Sequence, residues 1–231
     1  MLGNLGWNAL EIGDYAVAHD SLTQALAIYR STGSRSSEGW LLVCLALLHL
    51  LKDDPLAAQH YAAAALTLAQ STGDQHTLGE ALIVLGHAQT ALSNYNEALT
   101  TYQEALAVWG MLNVANRILE TRTSIARLWL AQGNLPAAYH EVEAILPDLS
   151  PAQVTGADQP LLLFLTCFDV LQAADDPRAT AVLHTAYHML QERAAMIADA
   201  DTRRSYLERV AAHRRLLQAW ATTRLSITAT C

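Results

Sequence analysis

The chain has 231 residues, is 52% hydrophobic with Ala and Leu dominant, and carries a net charge of −8 with a single lysine, Lys52. Ala and Leu are the best apolar helix formers, so this composition favours an all-helical fold with enough apolar surface for a sizeable core. The acidic balance argues against general nucleic-acid binding.

Taken in chain order, the sequence superimposes on itself three times at a shift of 40 residues. Leu5, Leu45, Leu85 and Ile125 form one column, followed by Gly6, Ala46, Gly86 and Ala126. Ala18, Ala58, Ala98 and Ala138 form another. Leu22, Ala62, Tyr102 and Val142 follow four residues later, then Ala25, Ala65, Ala105 and Ile145 beside Leu26, Leu66, Leu106 and Leu146. Each copy divides at a turn-forming pair: Gly13-Asp14, Asp53-Asp54, Ser93-Asn94 and Gly133-Asn134. These pairs predict a left-handed helix end followed by the N-cap of the next helix. The second helix of a copy is expected to end at Gly33, Gly73 or Asn113. The small residues at 6, 46, 86 and 126 mark where the two helices of a hairpin approach closely. Within the second copy, LLVCLALLHLL at 41–51 is about half a membrane span and stops at Lys52-Asp53-Asp54-Pro55, so it reads as a buried helix.

The small-then-large order, as in LGHAQTALSNYNEALTTYQEAL at 85–106, resembles the tetratricopeptide repeat. The resemblance covers residues 1–147 as four in-register hairpins of 40 residues, the longer-helix variety with a TGD-like linker at STGDQ, 71–75. It implies an all-α fold, a right-handed α-solenoid of antiparallel helical hairpins. Register is lost after Pro147. Residues 148–159 are expected to be a loop, 160–198 a diverged fifth hairpin in which Asp176-Pro177 echoes Asp54-Pro55, and 201–221 a C-terminal capping helix. That cap would place Tyr206, Val210, His213, Leu217 and Trp220 on one face and Arg203, Arg204, Arg214 and Arg215 largely elsewhere. The stretch 189–220 is also similar to the closing segment of tetratricopeptide arrays in bacterial signalling ATPases of the STAND type. A phosphate loop would need a lysine among glycines, and Lys52 lacks them. The resemblance therefore implies a sensor or scaffold segment of a bacterial regulatory system.

In such a superhelix the first helices of successive repeats line the concave groove. The resemblance carries that role to Trp7, Leu47, His87 and Arg127 in one column, to Gly3, Val43, Ile83 and Thr123 in the next, and to Trp40 at the edge, alongside Glu80 and Glu120. Aromatic and aliphatic anchors in a concavity hold a peptide or a partner protein. The competing expectation for Val43 and Leu47 is internal packing, the ordinary fate of such residues on a helix. A two-carboxylate clamp for acidic peptide ends needs groove lysines, and Lys52 sits at a hairpin turn. Two other readings stand beside the protein-binding one. The chain would be a receptor for a small ligand or peptide signal, or a unit that self-associates through its N-terminal hairpin.

No catalytic constellation is evident, and neither an enzyme activity nor a cofactor is expected. His184 and His188 lie four apart in HTAYH, but the metalloprotease pattern needs a glutamate where Thr185 stands, and no third ligand follows. Surface or packing roles are expected for both, and no metal site. Cys44, Cys167 and Cys231 form no paired motif, which fits a reducing cytoplasm, and Cys167 within LLLFLTCFDVL reads as a buried, inert thiol. The N-terminus, MLGNLGWNALEIGD, lacks the basic start of a secretory signal.

Overall fold

Helix boundaries follow the turn columns. In the computed structural model, which describes residues 1–229 and side chains as far as Arg224, Gly13, Asp53, Ser93 and Gly133 all have positive φ, at 79°, 61°, 63° and 77°. The residue after each is the N-cap of the next helix. The carboxylates of Asp14 and Asp54 accept the amides of Val17 and Ala57 at 3.2 and 3.1 Å, and Asn134 accepts that of Ala137 at 3.2 Å. Each bond satisfies one of the donors that a helix start leaves open. The second helices close at Gly33, Gly73 and Asn113, again in the left-handed region.

The chain forms two compact units, Met1–Val114 and the residues from Ala115 on. The first contains α1 (Leu2–Glu11), α2 (Tyr15–Thr32), α3 (Arg35–Leu51), α4 (Pro55–Thr72), α5 (Gln75–Ala91) and α6 (Tyr95–Leu112). These pair as antiparallel hairpins α1/α2, α3/α4 and α5/α6. The first helices touch in turn, α1 on α3 and α3 on α5, while α2 packs on α3 and α4 on α5. The hairpin contact is set by volume. A Cβ added at Gly6 would lie 2.6 Å from Cγ of Leu22, and one at Gly86 would lie 2.5 Å from Cε1 of Tyr102. In the second copy the corresponding pair is Ala46 and Ala62, both fully buried. Glycine stands wherever the opposing residue is large. The invariant alanines, including Ala18, Ala58 and Ala98, are fully buried as well.

The second unit contains α7 (Ala115–Ala131), α8 (Leu135–Ile145), a 3-10 turn over Leu146–Asp148, α9 (Pro160–Ala173), α10 (Arg178–Ala195), α11 (Ala200–Glu208) and α12 (Ala211–Ala229). Its first hairpin keeps the rule, with Ala126 and Val142 both fully buried. Helix α8 has 11 residues where α2, α4 and α6 have 18. Pro147 has no amide to donate, so the α-helical ladder ends and the chain tightens into the 3-10 turn, with Leu146 still in helical backbone. Helix α9 is apolar almost all round and is accordingly covered on several sides, by α7, α8, α10 and α12. Asp175 takes the left-handed conformation at φ 54°, the counterpart of Asp53, so the Asp-Asp-Pro echo reflects the same turn.

The 201–221 segment departs from the expected single helix. It is two helices, α11 and the first part of α12, separated at Arg209 and Val210. The break is held by side chains from the far side. Nδ1 of His213 donates to the Tyr206 carbonyl at 2.7 Å, and Nη1 of Arg214 donates to the Glu208 carbonyl at 3.2 Å. These are carbonyls that a helix end leaves open. The His213 ring packs on that of Tyr206 at 4.3 Å. Leu216, rather than Leu217, is the fully buried aliphatic, while Val210, Leu217 and Trp220 are half-buried. Arg215 bonds Asp169 of α9 at 2.8 Å, tying α12 to the centre of the unit. Burial nevertheless pushes the Asp169 carboxyl up to about 6.

Two outcomes test this description. Ser93→Gly should stabilise the protein by about 0.5–1 kcal/mol, because glycine accepts the left-handed turn, whereas Gly133→Ala should cost about 1 kcal/mol; urea unfolding measures both. His213 is held neutral by burial, with its pKa lowered from 6.5 to about 4. The unfolded chain protonates first, so stability is full above pH 6.5 and falls as pH drops toward 4, by about 3 kcal/mol. In His213→Asn that slope should be absent from the pH dependence of urea unfolding.

Candidate functional site

The expected groove residues fall on the first helices: Trp7 on α1, Trp40, Val43 and Leu47 on α3, and Ile83 and His87 on α5. Arg127 occupies the corresponding position of α7, in the second unit. Burial separates them. Val43, Leu47 and Ile83 are only 6, 5 and 4% exposed, so they pack inside the layer and cannot themselves grip a partner. That matches the internal packing expected of Val43 and Leu47. Trp7, Trp40, His87 and Arg127 are half-buried. The Trp40 ring lies against Gly3 of α1, where a Cβ would sit 2.9 Å from its Cζ3. Gly3 therefore makes room for an indole that stays half-buried. His87 sits edge-on to Tyr102 of α6, with ring centroids 5.8 Å apart. The first unit thus presents a buried aliphatic floor with two tryptophans and an imidazole partly accessible along the same helices.

Two acids assigned to the groove edge by their column are not at a surface. Glu80 and Glu120 are both buried. Glu120 belongs to a clamp that fixes the loop after Pro147. Nη1 of Arg117 donates to Glu120 at 2.6 Å, its guanidinium takes both oxygens of Asp158 at 2.8 and 2.9 Å, and the second Glu120 oxygen accepts the Gln159 amide at 3.0 Å. Burial raises the Glu120 pKa against the pull of Arg117. Val154, in the same loop, is fully buried in the core of the unit. The loop is therefore part of the packed structure. Two of the clamp's members, Asp158 and the Gln159 amide, lie outside the repeat, and repeat spacing does not reveal them.

Where α8 stops short, the second unit has a cavity of about 460 Å³, with Leu146, Leu149, Phe164 and Val182 among its walls and Glu143 and Arg178 beside them. Arg178 bonds Glu143, Asp176 and Tyr139, and Tyr139 donates to Asp176 at 2.8 Å. The Arg178 guanidinium holds the Asp176 carboxyl well below the usual carboxylate range. The polar side of the cavity is thus a network in which one guanidinium serves two carboxylates, leaving a net negative edge beside the apolar wall. Cys167 is buried in α9, and burial pushes its thiol up to about 12, which leaves it inert toward nucleophilic chemistry.

The fold is that of the all-α helical-repeat proteins. Residues 37–110, spanning α3 to α6, match the tetratricopeptide repeat family. Among solved structures, the chain is similar to a Rap protein complexed with competence and sporulation factor, at 16% identity and a TM-score of 0.63, over 96% of this chain and 64% of that one. It is similar to aspartyl phosphate phosphatase F from Bacillus subtilis, at 14% identity and a TM-score of 0.66, over 94% and 58%. It also matches a kinesin light chain with nearly identical repeats from Podosopora anserina, at 16% identity and a TM-score of 0.57, over 83% and 94%. The chain spans less than two thirds of the first two proteins. No curated protein matches the sequence. Among the described residues, no helix is long and apolar enough to cross a membrane.

The loop clamp makes a quantitative expectation. Arg117→Ala leaves Glu120 and Asp158 facing each other without a cation, and breaking a buried pair in this way costs about 3–5 kcal/mol. Denaturant unfolding should show that loss, and amide exchange over 149–159 should accelerate. A cost below about 1 kcal/mol would mean that the clamp does not hold the loop.

Proposed function

We propose that the protein is a non-catalytic binding module that holds a peptide or partner protein on the first-helix layer of its first unit. Trp7, Trp40 and His87 are its contacts and Val43, Leu47 and Ile83 its floor; Arg127 belongs to the second unit. The observation that carries this reading is the pair of half-buried tryptophans over buried aliphatics. Partly exposed, rigid indoles are the side chains that supply most binding energy at interfaces. The Rap protein, solved with a competence and sporulation factor, supports a peptide or protein as the class of partner. The tetratricopeptide match within α3 to α6 supports it as well.

The reading extends to a regulatory or signalling role in a bacterial cytoplasm. The resemblance of 189–220 to the closing segment of STAND-type arrays supports that role. The buried thiol of Cys167 fits a reducing compartment. The cavity beside Phe164 and Val182 favours a second reading, a receptor for a small apolar ligand. Ligand-dependent thermal stabilisation that is lost in Val182→Trp would identify it.

The test is a selection of peptides from a displayed library against the full chain, followed by titration of Trp7→Ala and His87→Ala. Each substitution should weaken binding roughly tenfold or more while leaving the melting temperature close to that of the parent. Peptides that bind both variants as tightly as the parent would remove the first-helix layer as the site.

A further inference from the structure

We propose that His184 and His188 form a two-imidazole site for a late first-row divalent metal ion, Zn²⁺, Ni²⁺ or Cu²⁺, on the exposed side of α10. Residues four apart on a helix have Cβ atoms about 5–6 Å apart, so their outer ring nitrogens meet only if both rings lean together. Here they do. The two Nε2 atoms are 3.2 Å apart, with ring centroids at 4.3 Å. Two nitrogens bound at about 2.0–2.1 Å to one tetrahedral ion stand about 3.3 Å apart. The pair already has the bite of a chelate.

The rings are also held. Trp220 of α12 lies edge-on to His184 at 5.5 Å and to His188 at 6.5 Å, and is itself stacked on Tyr187 at 4.3 Å and 11°. Ordering the ligands before the ion arrives removes part of the entropic cost of binding. Without metal, the short Nε2 separation requires a proton between the rings, one imidazole donating to the other. On binding, the donor ring changes tautomer, giving its Nε2 proton to solvent and taking one up at Nδ1, so both Nε2 lone pairs go to the ion with no net proton released. Among the described residues no cluster of three or more His, Cys, Asp or Glu ligands converges, so water completes the coordination. Imidazole pairs of this kind select the later first-row ions, with Cu²⁺ strongest. Arg224, 5.9 Å over the Trp220 ring, is a nearby positive charge that limits affinity.

Trp220 provides the readout. Tag-free protein titrated with Cu²⁺ should show saturable quenching of tryptophan fluorescence, with one ion per chain and an electron paramagnetic resonance spectrum of two coordinated nitrogens. Both histidines are exposed, so His184→Ala and His188→Ala should fold as the parent by circular dichroism and lose roughly tenfold or more in Cu²⁺ affinity. Trp220→Phe should retain Cu²⁺ binding by electron paramagnetic resonance while losing most of the quenching. Affinity unchanged in both histidine variants, or a parent spectrum with a single nitrogen, would overturn the assignment.

Discussion

Every hairpin of the repeat depends on how closely two helix axes can approach at one point. At that point Gly6 meets Leu22 and Gly86 meets Tyr102, and the same columns hold Ala46 with Ala62 and Ala126 with Val142, all four fully buried. The distances at Gly6 and Gly86 leave no space for a methyl group. Packing of this density transmits position. Once the pair is seated, the left-handed turn at one end of the hairpin and the close at the other have fixed places, and the first helices align so that their side chains share a face. The aromatic rim of the first unit is a consequence of that alignment.

This much was legible in the sequence, because it is written in residues at fixed spacing. The turn pairs announced both the positive φ at 53 and 93 and the caps at 14, 54 and 134. What spacing does not encode is contact between segments of unrelated register. Glu120 shares a column with Trp40 and Glu80, yet Arg117, itself held by Asp158, and the Gln159 amide far along the chain draw it into a buried clamp. The break between α11 and α12 was hidden for a related reason. Residues 206–220 do have helical periodicity, but His213 and Arg214 satisfy the open carbonyls of a helix that has already ended. Periodicity reports which side is apolar and not whether the backbone is continuous.

The candidate binding face shows the same division. Column position located the helices and the face, while burial decided the roles. Val43, Leu47 and Ile83 give their surface to the layer, and Trp7, Trp40 and His87 keep part of theirs. Gly3 carries a signal that a column alone undervalues: a glycine opposite a tryptophan is the space in which that indole rests. In the second unit, the early stop at Pro147 replaces the end of a repeat helix with a clamped loop and a cavity. The departures from the repeat are thus the places where chemistry other than repeat packing collects.

The volume rule is tested most directly by a double-mutant cycle at Gly86 and Tyr102, followed by urea unfolding. Alanine is favoured over glycine in a helix interior by about 1 kcal/mol, whereas forcing a methyl group into a filled core costs about 1–3 kcal/mol. With Tyr102 present, Gly86→Ala is predicted to destabilise. In the Tyr102→Val background, which recreates the Ala126–Val142 pair of the fourth copy, the same change is predicted to stabilise. If Gly86→Ala has the same sign and size in both backgrounds, the two positions are not coupled and the account of the hairpin fails.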